Sequence, residues 1–194
     1  MTQPDPSTDD RRRRFLLEIL PAVSVGAEIG VHLGDFSQAI LDITEPTHLH
    51  LIDPWKHEPS STYERAWYGG QADRGQEEMD DRYAGVLDRF DHEIGAGRVT
   101  VHRGQSGEVL RTLPDDSLDW VYIDGNHLYE FVANDLRLSL AKVKPGGLVT
   151  GDDYAEGGWW EGGVKRAVDE LAAQGAAQLV LVENGQYVFK KSGA

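Results

Sequence analysis

The chain has no cysteine, which excludes a disulfide framework, a thiolate metal site and a cysteine nucleophile. It also has no apolar run long enough to cross a bilayer. Positive charge is scarce: 19 Lys and Arg stand against 33 Asp and Glu, a formal net charge of -14. A field of that sign repels phosphate backbones and anionic lipid, so neither nucleic acid nor membrane is an expected partner. The opening stretch MTQPDPSTDDRRRRFLLEIL lacks the apolar core of a secretory leader, because the hydrophobic part behind its arginines is short and ends at Pro21. The expected location is the cytoplasm. What is present, 194 residues of which 40% are hydrophobic, suits one domain over 1–194 with a sizeable core.

Residues 1–22 read as a helical extension. The run from Arg11 to Arg14 sits between Asp9, Asp10 and the apolar Phe15, Leu16, Ile19 and Leu20, the pattern of a short amphipathic helix with an acidic first turn and solvated arginines. Beyond it, short apolar runs at 25–31, 48–52, 99–102, 118–123 and 148–150 alternate with helical segments, which predicts a parallel sheet with crossover helices. HLHLID alternates as a strand does, whereas LDWVYID and GGLVTGDD are nearly continuous, as when both faces of a sheet are covered. Glu108 to Leu113 reads as a short helix, Lys144 to Gly147 as a turn, and Asn184-Gly185 between two apolar runs as the turn of a closing antiparallel hairpin. The polar segment 54–97, with Trp55, Tyr63, Trp67, Tyr68 and a helix at Glu77 to Phe90, has the size and position of a lid or substrate-binding insertion.

The first strand runs into Glu28-Ile-Gly30-Val-His-Leu-Gly34-Asp-Phe-Ser37. Gly30 and Gly34 permit a sharp turn before a helix whose first N–H groups are free. The spacing is not Gly-x-Gly-x-x-Gly, which disfavours a pyrophosphate cradle. Glu28, inside the strand, is costly to bury without a cationic partner and suits a ligand ammonium. Asp53 ends the second strand, where a carboxylate can accept the two hydroxyls of a ribose or cap the next segment. Gly104-Gln105-Ser106 follows the third strand, placed to meet an adenine edge.

This succession resembles the class I S-adenosylmethionine-dependent methyltransferases. The resemblance implies a doubly wound, mostly parallel seven-stranded α/β sheet with an antiparallel C-terminal hairpin. It also implies a cofactor site drawn from Glu28, Gly30, Gly34, Ser37, Asp53, Gln105, Ser106 and Asp124. Asp124 ends the fourth strand, and Asp152 and Asp153 end the fifth. Three carboxylates so close repel one another, and Mg²⁺ is an economical neutraliser where only oxygen ligands are at hand. The alternative is that the acids pair with Lys165 or Arg166.

The I-D-G-x-H-x-Y stretch at 123–129 and the later G-G-x-x-x-x-D-D-Y at 146–154 resemble the metal-dependent small-molecule O-methyltransferases, those of sugars and natural products among them. That similarity assigns metal-ligand places to Asp124, Asp152 and Asp153, and the general base to His127, which otherwise orients Asp124. It implies a small-molecule hydroxyl as acceptor, and assembly of copies through the lid. Some sugar-modifying relatives have an aspartate base where this chain has Asn126, which cannot accept a proton. Histidine suits the task, since its pKa lies near neutrality. Trp159 and Trp160 either stack on the acceptor or anchor their loop. A non-catalytic cofactor-binding protein, and a hydroxylase-like enzyme on the same scaffold, are the rival readings.

Overall fold

Each apolar segment marked as a strand becomes one in a computed structural model, which describes residues 6–66, 68 and 71–193, with side chains from Arg13 onward. In chain order the elements are α1 (Pro6–Ile19), β1 (Val25–Ile29), α2 (Asp35–Thr44), β2 (His48–Asp53), a 3₁₀ turn (Ser61–Tyr63), α3 (Gln76–Arg89), α4 (Asp91–Gly95) and β3 (Val99–Arg103). They continue as α5 (Ser106–Thr112), β4 (Leu118–Ile123), α6 (Tyr129–Lys142), β5 (Val143–Gly151), α7 (Gly163–Gln174), β6 (Ala177–Glu183) and β7 (Gln186–Lys191). The sheet order is β3-β2-β1-β4-β5-β7-β6. Strands β1 to β5 pair in parallel, and β7 is antiparallel to both β5 and β6.

Both faces are covered, which explains the unbroken apolar run of β4. Trp120 and Tyr122 face a cluster with Leu16 and Leu17 of α1, Ile40 of α2 and Met79 and Val86 of α3. Val121 and Ile123 face the opposite cluster, with Leu110 of α5, Leu136 of α6 and Val168 of α7. Burying alternate residues on opposite faces removes any polar side from the strand. Strand order reverses between β1 and β4, which opens a crevice at their carboxyl ends, where folds of this kind bind ligands.

Two local features differ in detail from the sequence pattern. Lys144 to Gly147 is not a turn ahead of the fifth strand but a part of β5, which begins at Val143 and absorbs the extra residues as a register shift between Leu118 and Trp120. The 54–97 segment divides in two. Its later part supplies α3, whose Met79 and Val86, with the following Phe90, are buried in the core, so α3 works as the crossover between β2 and β3. The described residues between 54 and 75 form irregular chain apart from the 3₁₀ turn, and Trp67, Gly69 and Gly70 lie outside the described residues. The hairpin turn is as expected: Asn184 (φ 52°) and Gly185 (φ 78°) both adopt the left-handed conformation that a two-residue turn of this twist requires. Among the described residues no helix is long and apolar enough to cross a membrane.

Candidate active site

The strand tips are aligned by hydrogen bonds that continue the ladder past each end. The Gly30 N–H donates to the Ile52 carbonyl (2.9 Å), Asp124 N–H to Ile29 (2.7 Å) and Asp152 N–H to Ile123 (3.1 Å). Asp53, Gly30, Asp124 and Asp152 therefore stand side by side along one edge. Gly30 has φ 92°, and a Cβ there would lie 1.9 Å from the Asp124 carbonyl oxygen. At Gly34 (φ 80°) a Cβ would lie 2.8 Å from the Phe90 ring. The two glycines are thus required by backbone twist and by close packing on β4 and on Phe90.

Glu28 is fully buried, and its Oε2 accepts a short hydrogen bond from the Ser37 hydroxyl, while Oε1 has no partner. Burial raises its pKa to about 8, against the lowering effect of Ser37. A buried carboxyl with one unsatisfied oxygen is what a ligand ammonium would complete. Asp53 is also buried, and its oxygens are already used. Oδ2 accepts the N–H groups of Val31 (2.9 Å) and His32 (3.0 Å), and Oδ1 accepts Trp55 N–H (2.7 Å) and the Tyr68 hydroxyl. Asp53 thereby ties the glycine loop to β2, as a cap does, and Tyr68 stands where a ligand hydroxyl would.

His32 is held by Arg82 (3.0 Å), and burial followed by the Arg82 charge lowers its pKa to about 4, leaving it neutral and structural. The Ser106 hydroxyl is turned inward and donates to the buried Asp135 (2.7 and 2.9 Å), away from a ligand edge. Gln105, ahead of α5, is half-buried and its side chain has no hydrogen-bond partner among the described residues.

The acidic half of the site departs most from expectation. Asp124, Asp152 and Asp153 do converge, but an arginine and a histidine side chain stand between them. Arg13 Nη1 lies 2.6 Å from Asp124 Oδ2, and Arg13 Nε lies 3.2 Å from Asp152 Oδ2. His127 Nε2 lies 3.3 Å from Asp124 Oδ1 and 3.3 Å from Asp153 Oδ2. Asp152 Oδ1 also accepts from the Gln186 amide and from Asp153 N–H (2.7 Å). Asp152, only 1% exposed, is consequently committed to Arg13 and Gln186. The three groups whose ligand atoms all lie within 4.8 Å of one another are Asp124, His127 and Asp153.

Neither Lys165 nor Arg166 is the cation: these pair with Asp169 (2.6 Å) and Glu170 (3.0 Å). Arg13 had been read as part of a solvated run, and the correction has a sequence signal. Residues 13, 16, 17 and 20 follow the i, i+3, i+4, i+7 spacing, and Leu16, Leu17 and Leu20 are buried, so Arg13 shares the inward face of α1. Burial works against ionisation of Asp124, but Arg13 and His127 outweigh it and keep the carboxyl below its usual range. Burial likewise opposes charging of His127, yet Asp124, Asp153 and Asp152 together raise its pKa.

His127 Nδ1 is buried without a partner, as is the indole Nε1 of Trp160. The two rings meet edge-on with centroids 5.0 Å apart, and Trp159 lies 5.8 Å from the imidazole. Trp159 also packs on Tyr63 (5.5 Å), whose hydroxyl accepts from the Asn126 amide (2.8 Å). The Asn126 carbonyl oxygen caps the Leu128 N–H (3.0 Å), a structural use that needs no ionisable group. Beside these residues a cleft of about 420 Å³ is lined by Ser61, Thr62, Arg65, Leu128, Trp159 and Trp160. It joins the irregular 54–75 stretch to the glycine-rich loop after β5.

A family profile described as a methyltransferase domain matches residues 27–154. An uncharacterised protein of Acanthamoeba polyphaga mimivirus is 41% identical over 51 residues, 26% of this chain; the match spans only 23% of that relative's length. Among solved structures, the N-methyltransferase NodS of Bradyrhizobium japonicum superposes with a TM-score of 0.64 at 15% identity, over 97% of this chain and 99% of that one. The O-methyltransferase of Bacillus cereus, solved in complex with SAH, gives 0.61 at 14% identity over 98% and 82%. The O-methyltransferase NovP gives 0.59 at 21% identity over 93% and 76%.

Proposed function

The chain belongs to the methyltransferase-domain family, an S-adenosylmethionine-dependent class, and from that premise we propose that it methylates a hydroxyl of a small molecule such as a sugar or natural product, with His127 as general base. One observation carries the choice of base. His127 Nε2 faces two carboxylates while Nδ1 is buried and unpaired behind Trp159 and Trp160, which line the cleft. Asp124 and Asp153 hold the ring proton on Nε2, which leaves Nδ1 as a proton acceptor. The neighbouring Trp160 N–H is an unused donor, so one entering hydroxyl can satisfy both orphaned atoms by accepting from Trp160 and donating to His127.

The residues around Glu28 fit the methyl donor. When bound, S-adenosylmethionine supplies a strongly electrophilic sulfonium methyl group, so the protein's work is alignment and deprotonation of the acceptor. Glu28 Oε1 would take the donor's ammonium group, and a ribose hydroxyl would replace the Tyr68 hydroxyl on Asp53 Oδ1. Gln105 has a free side chain for the adenine edge, whereas Ser106 contributes through its place at the start of α5. The three aspartates do not fit a dication in the same way. Both oxygens of Asp152, and Oδ2 of Asp124, already have partners, and a cation on Asp124, His127 and Asp153 would consume the base.

Two measurements follow from this geometry. With a pKa of about 8, Glu28 is about nine-tenths protonated at pH 7, and pairing with an ammonium favours its anion. Calorimetric titration with S-adenosylmethionine at pH 7 should therefore release roughly one proton per cofactor, seen as a dependence of the observed enthalpy on buffer ionisation enthalpy. Enthalpies that coincide across buffers would remove Glu28 from the ammonium site. Trp159→Ala should raise the acceptor KM about tenfold, with cofactor affinity kept, through loss of ring stacking. The acceptor class itself is tested by screening hydroxylated and amino-bearing small molecules with methyl-labelled cofactor. Label found only on nitrogen would overturn the hydroxyl assignment.

A further inference from the structure

Arg13 stands among the strand-tip acids, for which Mg²⁺, or else Lys165 or Arg166, was the expected partner. It projects from the buried face of α1, held there by Leu16, Leu17 and Leu20, and its guanidinium lies 5.4 Å from the centroid of the Phe36 ring. The group reaches Asp124 Oδ2 (2.6 Å), Asp152 Oδ2 (3.2 Å) and the Tyr122 hydroxyl (3.4 Å), and its side chain is only 18% exposed. A guanidinium is permanently charged and planar, and its fork of donors matches carboxylates. The remaining Asp152 oxygen is taken by Gln186 and Asp153 N–H, so a metal at this pair would have to share oxygens with a like-charged neighbour.

We propose that Arg13 occupies the place of the divalent cation, neutralising Asp124 and Asp152, and that methyl transfer proceeds without a metal at these acids. By engaging one oxygen of Asp124 it leaves the other turned to His127, which makes Arg13 a positioning residue for the base. The occupancy follows from the geometry alone, and only the statement about turnover rests on the function proposed above.

Mn²⁺ binding, followed by electron paramagnetic resonance on the full chain without donor or acceptor, separates the two. Arg13→Met keeps the length of the stem and removes the charge, so it should bind Mn²⁺ at least about tenfold more tightly than the wild type, because affinity for such ions follows ligand charge. Arg13→Lys, which keeps the charge, should stay at the wild-type level. Equal affinity in the wild type and Arg13→Met, no binding by Arg13→Met, or tight binding by Arg13→Lys would each overturn the proposal. Should Arg13→Met fail to fold, the wild-type enzyme still decides. Turnover unchanged by EDTA supports the internal cation, and turnover lost in EDTA and restored by Mg²⁺ refutes it. Because Mn²⁺ is read without methyl transfer, a wrong acceptor class cannot be mistaken for a wrong role of Arg13.

Discussion

His127→Ala should lower kcat by roughly 10²- to 10⁴-fold, the range for loss of a positioned general base, while affinity for S-adenosylmethionine stays within about twofold. The separation is expected because the ring contacts Asp124, Asp153, Trp159 and Trp160, whereas the orphaned Glu28 oxygen belongs to a different strand. The wild-type pH profile carries a second signature. Asp124, Asp153 and Asp152 raise the imidazole pKa against the effect of burial. Below that pKa the ring is protonated and cannot accept the hydroxyl proton, so activity is lost as pH falls through a titration lying above about 6.5. The levelling-off above that pKa should vanish in the alanine variant, whose residual rate keeps rising with hydroxide concentration. Single-turnover rates across pH, with cofactor binding measured separately, are the check. A variant with wild-type turnover would leave the imidazole as no more than an orienter of Asp124.

Gly30→Ala should cost about 3 kcal/mol of stability, combining a strained left-handed residue with overpacking against backbone. The Cβ would enter the space of the Asp124 carbonyl oxygen, 1.9 Å away, at φ 92°. Backbone cannot rotate aside as a flexible side chain does, so the tips of β1 and β4 would have to separate. That movement would disturb Glu28, Asp124 and the hydrogen bond from Asp124 N–H to Ile29 together. Thermal unfolding should show a Tm lower by roughly 6–12 °C, with cofactor affinity falling in parallel. Gly85→Ala, in α3, meets nothing within 4 Å and serves as a control for glycine replacement as such. A Gly30 variant as stable as the wild type would show that the tips do not approach as closely as described.

Much of the fold was legible because each strand is short, apolar and bounded by turn residues. The unbroken pattern of LDWVYI and the Asn184-Gly185 turn carry their geometry locally. The division of the 54–97 segment was less legible. A polar helix such as Gln76–Arg89 buries only Met79 and Val86, with Phe90 beyond it, too few apolar positions to distinguish a crossover helix from an insertion. Asp53 was placed correctly at a strand end and Ser106 after the third strand, where α5 begins two residues earlier than expected, yet their oxygens turn toward Val31, His32 and Asp135, contacts that no spacing encodes.

Local periodicity and the residue types at strand ends determined by themselves that this is an α/β protein with a parallel sheet and crossover helices, with acids at its strand ends. Only the tertiary structure decided that Arg13 pairs with Asp124, 111 residues away in the chain. Charge pairing depends on a few ångströms of side-chain placement, and that is set by how the leucine face of α1 docks on the sheet. A helix pattern can say that Arg13 points inward, but which carboxylates it meets is fixed by packing between elements distant in sequence.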